Sequence, residues 1–396
     1  MTGGGSGGHI TPILAVADEI KKAHPDSKII YIGQKGDTFA DIVAENMLID
    51  EVRSVSAGKF RRYNGEGLRQ LLDFKTIWLN ARDAFRVIKG FWECNKLLST
   101  IKPDVVFCKG GFVGVPVGLA AARLKIPYLT HDSDAIPGLA NRIISRWAAK
   151  HAVALDPELY PYPQHKTVNV GVPVSSRYVK ISSAEQQKLK AIAGFDSFKQ
   201  VLLVTGGGLG AARLNHAAVQ AMPKLLKKYP DLAVIHTAGQ KLEAVVKEAY
   251  DACLAPEQRQ RVHVYGYTTD LATFSGMADV VVARGGATNI AELAAQGKAC
   301  IIVPNPLLTG GHQLKNAIAY EEKGAIINLD EMKLKDNFEI LLKSIERLLD
   351  DKERRRDLSE KLHSFARPDS AKELAALCFE VAQNAHNDKK VDNEEA

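Results

Sequence analysis

The stretch DVVVARGGATNIAELAAQGKACIIVPNPLLTGGHQLKN, residues 279–316, runs strand, glycine turn, helix, second strand and polar loop. Val280–Ala283 is too short for a helix ending in Arg-Gly-Gly and suits a strand buried on both faces. Chemistry therefore belongs at the turn that follows. Gly285 and Gly286 allow close backbone approach, Thr288 or Asn289 can cap, and a helix over Ile290–Gln296 points its unpaired N–H groups at the turn, where an anion is favoured. Glu292 falls in the first turn of that helix. It either reaches a ligand's hydroxyl pair, as acidic side chains reach ribose, or complements the helix dipole. After a strand at Cys300–Pro304, His312, Gln313 and Asn316 cluster at a loop-to-helix junction. Three hydrogen-bonding side chains beside an anion-binding turn suggest a sugar nucleotide.

Working outward, 396 residues are long for one domain and fit two. The apolar fraction of 46% and charged fraction of 25% are those of a globular chain. A net charge of +6 does not by itself argue for nucleic acid, and none is expected as a partner. The five cysteines are odd in number, scattered and never spaced CxxC, so they read as buried free thiols in a reducing compartment. No signal peptide precedes the glycine run, and no apolar stretch approaches the roughly 18 to 20 residues of a membrane span. A cytoplasmic location follows.

The chain begins MTGGGSGGHITPILAVADEI, a glycine loop feeding a helix near Pro12–Lys22. Such a loop normally follows a strand, yet only Met1 and Thr2 precede it. Either the start lies a few residues upstream or a central strand is missing; the first is favoured. Strands are expected at Lys28–Ile32, Glu51–Val55, Asp104–Cys108, Tyr128–Thr130 and His151–Leu155, with a short helix near Phe39–Glu45. The pattern restarts with strands at Val201–Val204, Ala233–Thr237, Val262–Tyr265 and Asp279–Ala283. Strands alternating with helices, and a glycine loop opening each half, predict two doubly wound α/β domains with a cleft between their strand C-termini. Their expected extents are 1–175 and 176–350, followed by C-terminal helices over 351–387 and a disordered polar tail over 388–396.

Gly3, Gly5 and Gly8 fit GxGxxG, and Gly206, Gly208 and Ala211 fit its GxGxxA variant. The residues after the next strands, Gly33-Gln34-Lys35 and Ala238-Gly239-Gln240, offer no carboxylate for an adenosine ribose, which disfavours NAD and FAD. The glycines instead suit a diphosphate or a sugar close to backbone N–H groups. His9, at the lip of the first loop, is placed to deprotonate a hydroxyl; His131 ends a buried strand at a similar level. Asp132-Ser133-Asp134 reads either as a metal motif or as a cap for a helix starting near Ile136. Tyr267 either stacks on a base or packs at a strand end. Residues 53–109 hold 12 Lys or Arg against 5 Asp or Glu, with Ile77, Trp78, Phe85, Phe91 and Trp92 interleaved. That segment is either a membrane-surface element or a core helix with solvated cations.

The ordered blocks GGGSGGHITP, KGGFVGVPVGLAA, HDSDAIPGLANR, GVPV, TGGGLGA, YGYTTDL, ARGGATNIAELAAQGKACIIVPNP and GGHQLKNA resemble the MurG family, transferases that add N-acetylglucosamine to undecaprenyl-diphospho-muramoyl-pentapeptide, lipid I. The likeness spans Thr2 to about Gly324. It implies a GT-B architecture of two Rossmann-like domains, the first taking lipid I and the second UDP-N-acetylglucosamine. By resemblance, Gly4, Gly5, Gly110, Gly111, Gly114 and Asp134 form the acceptor site. Ser6, Gly7, Gly8, Gly208, Leu209, Gly210, Tyr267, Thr268, Arg284, Ala287, Glu292, His312 and Gln313 form the donor site, with Tyr267 over uracil, the Thr268 amide reading it, Glu292 on the ribose and Gln313 on the sugar. Gly208 and Gly285 stand where serine is frequent in the family, and GVPVS replaces GNPVR, leaving Arg177 as a substitute arginine.

The mechanism so implied is attack by the muramoyl C4 hydroxyl on the donor's anomeric carbon with inversion, His9 accepting the proton and glycine-loop N–H groups stabilising departing UDP. No cofactor is required, although a divalent metal could stimulate. Expected partners are UDP-N-acetylglucosamine, lipid I, anionic phospholipids and other cell-wall and division proteins, at the cytoplasmic face of the membrane. A UDP-N-acetylglucosamine 2-epimerase and a non-catalytic nucleotide-sugar binder are the competing classes.

Overall fold

A computed structural model describes residues 1–4, 7–36, 43–60, 74–207, 210–334 and 336–394. Contacts divide the chain into two units: Met1–Ser175 with Leu307–His312 and Arg367–Ala396, and Ser176–Pro306 with Gln313–Ala366.

The first unit carries β1 (Ile30–Gln34), β2 (Glu51–Val55), β3 (Val106–Cys108), β4 (Tyr128–Asp132), β5 (Lys150–Val153) and β6 (Thr167–Asn169), all paired in parallel. Thr2 bridges Ile32 on one side and Cys108 on the other. Its N–H donates to Phe107 O at 2.8 Å, and Ile32 N–H donates to Met1 O at 2.9 Å. Met1 and Thr2 therefore fill the strand position between β1 and β3, and the glycine loop leaves from the middle of the sheet. Alternate side chains feed opposite cores: Phe107 and Leu129 join Ile13, Val16 and Leu374 on one face, while Val106, Cys108 and Tyr128 join Leu98 and Val117 on the other. Helix Phe74–Ile101 crosses close to the loop after β2. A Cβ on Gly90 would lie 1.8 Å from Ser56 O, so only glycine permits that approach.

The terminal helix runs Ser370–Glu394 and packs on helix Gly7–Ala23. This corrects the expected disordered tail over 388–394: once docking has nucleated a helix, polar residues can extend it. The C-terminal helices also divide differently from expectation, Lys352–His363 going with the second unit and Ser370–Glu394 with the first.

The second unit carries β7 (Gln200–Thr205), β8 (Leu232–Thr237), β9 (Val262–Tyr265), β10 (Val280–Ala283), β11 (Cys300–Ile302) and β12 (Ile327–Asn328). Its all-parallel order is β12-β11-β10-β7-β8-β9. That is a doubly wound sheet whose winding reverses between β7 and β10, the place where such sheets bind ligands. Leu202 and Val204 face one core, Val201 and Leu203 the other. β6 and β12 escape the sequence reading because two or three residues carry no period. Residues 180–198, rich in charge, include helix Ser183–Ile192, which opens on a Ser182–Glu185 capping box. Cys253 is exposed, unlike the other four cysteines, because its helix Glu243–Cys253 ends at the surface.

Candidate active site

In the first unit the two glycine turns nest. A Cβ on Gly111, whose φ is +77°, would fall 2.6 Å from Gly4 O, and one on Gly3 would fall 3.2 Å from the Lys109 Cβ. Gly110 also has positive φ, whereas Gly114 starts helix Gly114–Arg123 with open space beside it. Gly7 and Gly8 form the first helical residues. Gly5 and Ser6 lie outside the described residues.

His9 follows on that helix. Enclosure of the ring, and after it the nearby Lys109 ammonium, lowers its pKa to about 4. Its Nδ1 has no hydrogen-bond partner among the described residues. A neutral imidazole with an open ring nitrogen can accept a proton from a hydroxyl placed beside it. Lys109 is buried, its Nζ donating to Ser133 Oγ at 2.8 Å. Burial lowers its pKa to about 8, against the pull of Asp134 and Asp132. Sequence reasoning missed Lys109; the available signal was a cation placed between a three-residue buried strand and a glycine pair.

Asp132 accepts from Gly138 N–H at 3.1 Å and from the Tyr162 hydroxyl at 2.8 Å, and burial raises its pKa. It thus steadies the turn before helix Leu139–Ile144, which starts three residues later than expected and whose N-cap Gly138 has no side-chain cap. Among the described residues no group of three or more His, Cys, Asp and Glu is arranged to hold a metal. His131 is buried and bonded to Gly171 O at 2.8 Å, a structural placement. His312 counts with the first unit, its Nδ1 3.5 Å from Asp134 Oδ2.

In the second unit the turn after β7 holds Gly206, Gly207 and Gly210; Gly208 and Leu209 are not described. At Gly210, with φ +75°, a Cβ would meet Ala238 O at 2.4 Å. The turn after β10 leads into helix Ala287–Gln296, whose N-cap is Gly286 with no side-chain cap. Thr288 and Asn289 therefore lie inside the first turn, and Asn289 Nδ2 instead donates to Arg284 O at 3.3 Å. With the helix starting three residues earlier than expected, Glu292 sits in its second turn, which removes the dipole explanation. Glu292 is buried, and burial raises its pKa to about 8, opposed by a hydrogen bond from Tyr178.

Arg284 is turned inward, donating to Val303 O at 3.0 Å and to Glu331 at 2.5 Å, so its guanidinium braces the turn from within. Asn316 Nδ2 donates to Gly285 O at 3.1 Å, and the Gln313 side-chain Oε1 accepts from Asn305 N–H at 2.9 Å. Asn316 thus pins the turn from below. A Cβ on Gly285 would lie 2.6 Å from Gln313 O, which explains why no serine stands there. Ala287 is the first helical residue and is buried. Tyr267 is 58% exposed, leaving a ring face for stacking, and Thr268 Oγ1 accepts from Asp270 N–H at 2.9 Å.

Two doubly wound units, each with a glycine turn at its switch point and the second with a buried carboxyl beside it, make the GT-B fold of nucleotide-sugar enzymes. Residues 1–153 match the glycosyltransferase family 28 N-terminal domain, and residues 201–374 the family 28 C-terminal domain. The chain is 33% identical over 387 residues to the UDP-N-acetylglucosamine--N-acetylmuramyl-(pentapeptide) pyrophosphoryl-undecaprenol N-acetylglucosamine transferase of Desulfitobacterium hafniense, covering 96% of this chain and 98% of that protein. It is 31% identical over 389 residues to the protein of the same name from Bacillus licheniformis, covering 97% and 99%. The crystal structure of Acinetobacter baumannii MurG superposes with a TM-score of 0.70 at 22% identity, covering 96% of this chain and 98% of that one. A putative UDP-N-acetylglucosamine 2-epimerase from Listeria monocytogenes shares the fold, with a TM-score of 0.65 at 13% identity, covering 98% and 96%. The chain belongs to glycosyltransferase family 28 and, within it, to the MurG family.

Proposed function

We propose that this chain transfers N-acetylglucosamine from UDP-N-acetylglucosamine to the C4 hydroxyl of the muramoyl residue of lipid I, with inversion, producing lipid II for peptidoglycan synthesis. The observation that carries the reading is the 33% identity to a transferase of that name along almost the whole of both chains. His9 takes the acceptor proton. Lys109 and the glycine-turn N–H groups of the first unit bind the acceptor diphosphate, and the turn after β7 stabilises departing UDP. Tyr267 stacks on uracil, the Thr268 amide reads its edge, Glu292 holds the ribose and Gln313 the sugar hydroxyls. Charge neutralisation by these groups makes a metal cofactor unnecessary.

The acceptor is a membrane lipid, and the first unit offers a surface for it. Helix Phe74–Ile101 exposes Ile77, Trp78, Phe85, Ile88 and Trp92, with Trp147 also exposed. Arg82 lies 5.5 Å over Trp78, and Arg123 5.0 Å over Trp92. Aromatics interleaved with cations suit the headgroup boundary of an anionic bilayer. No described helix is long and apolar enough to cross a membrane. The protein docks peripherally, at the cytoplasmic face.

The test is UDP release from UDP-N-acetylglucosamine with and without a short-chain lipid I analogue. Acceptor-dependent release is expected. Turnover without acceptor would favour an epimerase, and donor binding with no turnover a sensor.

A further inference from the structure

Helix Ala212–Lys228 leaves the turn after β7 on a bare N-cap: Ala211 has no polar side chain to take a bond from the first N–H groups. Two side chains near the helix start, Arg213 and Asn215, reach opposite neighbours of β7, which stands between β10 and β8. Toward β10, Arg213 Nη1 donates to Glu331 Oε2 at 3.3 Å, while Arg284 Nη2 holds the other oxygen of the same buried carboxylate. Arg284 follows β10 and also donates to Val303 O, beyond β11, at 3.0 Å; Glu331 follows β12. Toward β8, the buried Asn215 donates from Nδ2 to Ala238 O at 2.9 Å, so its Oδ1 faces His236 Nε2 at 3.1 Å. An amide oxygen only accepts. His236 therefore carries its proton on Nε2, and its Nδ1 accepts from the Tyr250 hydroxyl at 2.9 Å. Ala238 O is also the atom that a Cβ on Gly210 would strike, so Asn215 holds one wall of the turn.

A backbone anion site works only while its N–H groups stay aimed. Both heteroatoms of the Asn215 amide and both oxygens of Glu331 are engaged with protein, so these groups act through what they hold. By charge alone a carboxylate repels a diphosphate; what Glu331 contributes is a grip on two guanidinium groups. We propose that Arg213 and Asn215 are positioning residues for donor binding: as straps to the two neighbours of β7, they aim the first N–H groups of helix Ala212–Lys228 at the donor diphosphate. The proposal rests on the reading of the turn after β7 as the diphosphate site. It assigns no chemistry to either residue.

Calorimetric binding of UDP, and of uridine by displacement, on the wild type, Arg213→Met, Asn215→Leu and Glu331→Gln tests it. Arg213→Met keeps the side-chain stem and leaves Glu331 paired with Arg284, so the fold should hold. Each variant should weaken UDP binding by about tenfold and leave uridine, which has no phosphate, nearly unchanged. Glu331→Gln separates aim from charge: removing an acid tightens UDP if only the field matters, and weakens it if the strap matters. Should that variant fail to fold, Glu331→Asp keeps the charge, shortens the reach and should weaken UDP in the same way. Equal weakening of UDP and uridine would mean a merely structural role, unchanged UDP binding no role, and tighter binding in Glu331→Gln a direct ionic contact from Arg213; each overturns the proposal. A wild type that binds UDP no more tightly than uridine would instead remove the turn as the diphosphate site, and the proposal with it.

Discussion

The first unit buries a cation beside its glycine turn; the second buries an acid beside an equivalent turn. Lys109 follows β3 and Glu292 rides the helix after β10, each close to its sheet's switch point. Burial moves both pKa values to about 8, the lysine downward and the carboxyl upward. Near pH 7 Lys109 is therefore mostly charged, and burial holds Glu292 toward its neutral form until hydroxyl donors favour the carboxylate. The backbone N–H groups of both turns offer a similar, unselective welcome to anions. In the proposed assignment selectivity comes from the buried side chain, since an ammonium suits phosphate oxygens and a carboxyl suits a pair of hydroxyls. On that reading a repeated fold handles two unlike substrates by changing one buried charge per unit.

The strongest test of that division is the group assigned to neither binding role. His9→Ala should lower kcat by about 10²- to 10⁴-fold, the range of a general base, with UDP affinity nearly intact. A variant retaining a tenth of wild-type turnover would discard the base. Because the ring titrates at about 4 in the free protein, it stays neutral as pH falls through 6 and 5. The kcat/KM profile should then lack an acid limb near 6.5, and finding one there would place His9 in a more open environment.

Next in size is a crossed pair. Glu292→Gln should raise donor KM by about tenfold or more, since a hydrogen bond to a charged group contributes about 1.5–3 kcal/mol, and leave acceptor KM unchanged. Lys109→Met should do the reverse. If either variant moved both constants equally, the two turns would not be serving separate substrates.

How much of this was legible depended on period and on glycine. β7, β8 and β10 are largely apolar runs closed by turns, found within a residue or two because burial on both faces favours Val, Leu and Ile, and β9, a partly buried edge strand, was found as well. Glu292 and Tyr267 stand out in the sequence by their places after a strand, and the structure buries the first and exposes the second. Helix starts were not: Gly286 caps through its backbone alone, so nothing polar marks the spot, and Thr288 and Asn289 misled. Arg284 was expected at the donor site by resemblance alone; its guanidinium meets Glu331, 47 residues on, and no local rule joins the two. Lys109 was missed for a related reason: its place between a buried strand and a glycine pair could have marked it, but its partner Ser133 lies 24 residues on.

Smaller is the pH response of acceptor binding. Lys109 keeps its charge below about 8 and loses it as pH rises through that value, so affinity for a diphosphate-bearing acceptor should fall several-fold between pH 7 and 9. Lys109→Arg, which stays charged throughout, should flatten that fall. A wild-type profile flat to pH 9 would mean that the ammonium does not meet the phosphates.

The smallest effect separates the units by surface rather than by site. Ile77 and Trp78, 44% and 63% exposed, stand in the first unit among cations; Val245, 61% exposed, stands in the second on helix Glu243–Cys253. Burying one apolar side chain in a bilayer boundary contributes about 1–2 kcal/mol at most, and neighbouring cations add about 1 kcal/mol each, screened by salt. Ile77→Ser with Trp78→Ser should therefore weaken binding to vesicles containing anionic lipid only several-fold, measured by sedimentation, with the melting temperature and turnover of a water-soluble acceptor unchanged. Val245→Ser should leave partitioning as it was, because an isolated exposed valine has no charged frame around it. Equal loss in both variants would show that exposed apolar area anywhere on the chain drives adsorption, and the membrane face would no longer belong to the first unit alone.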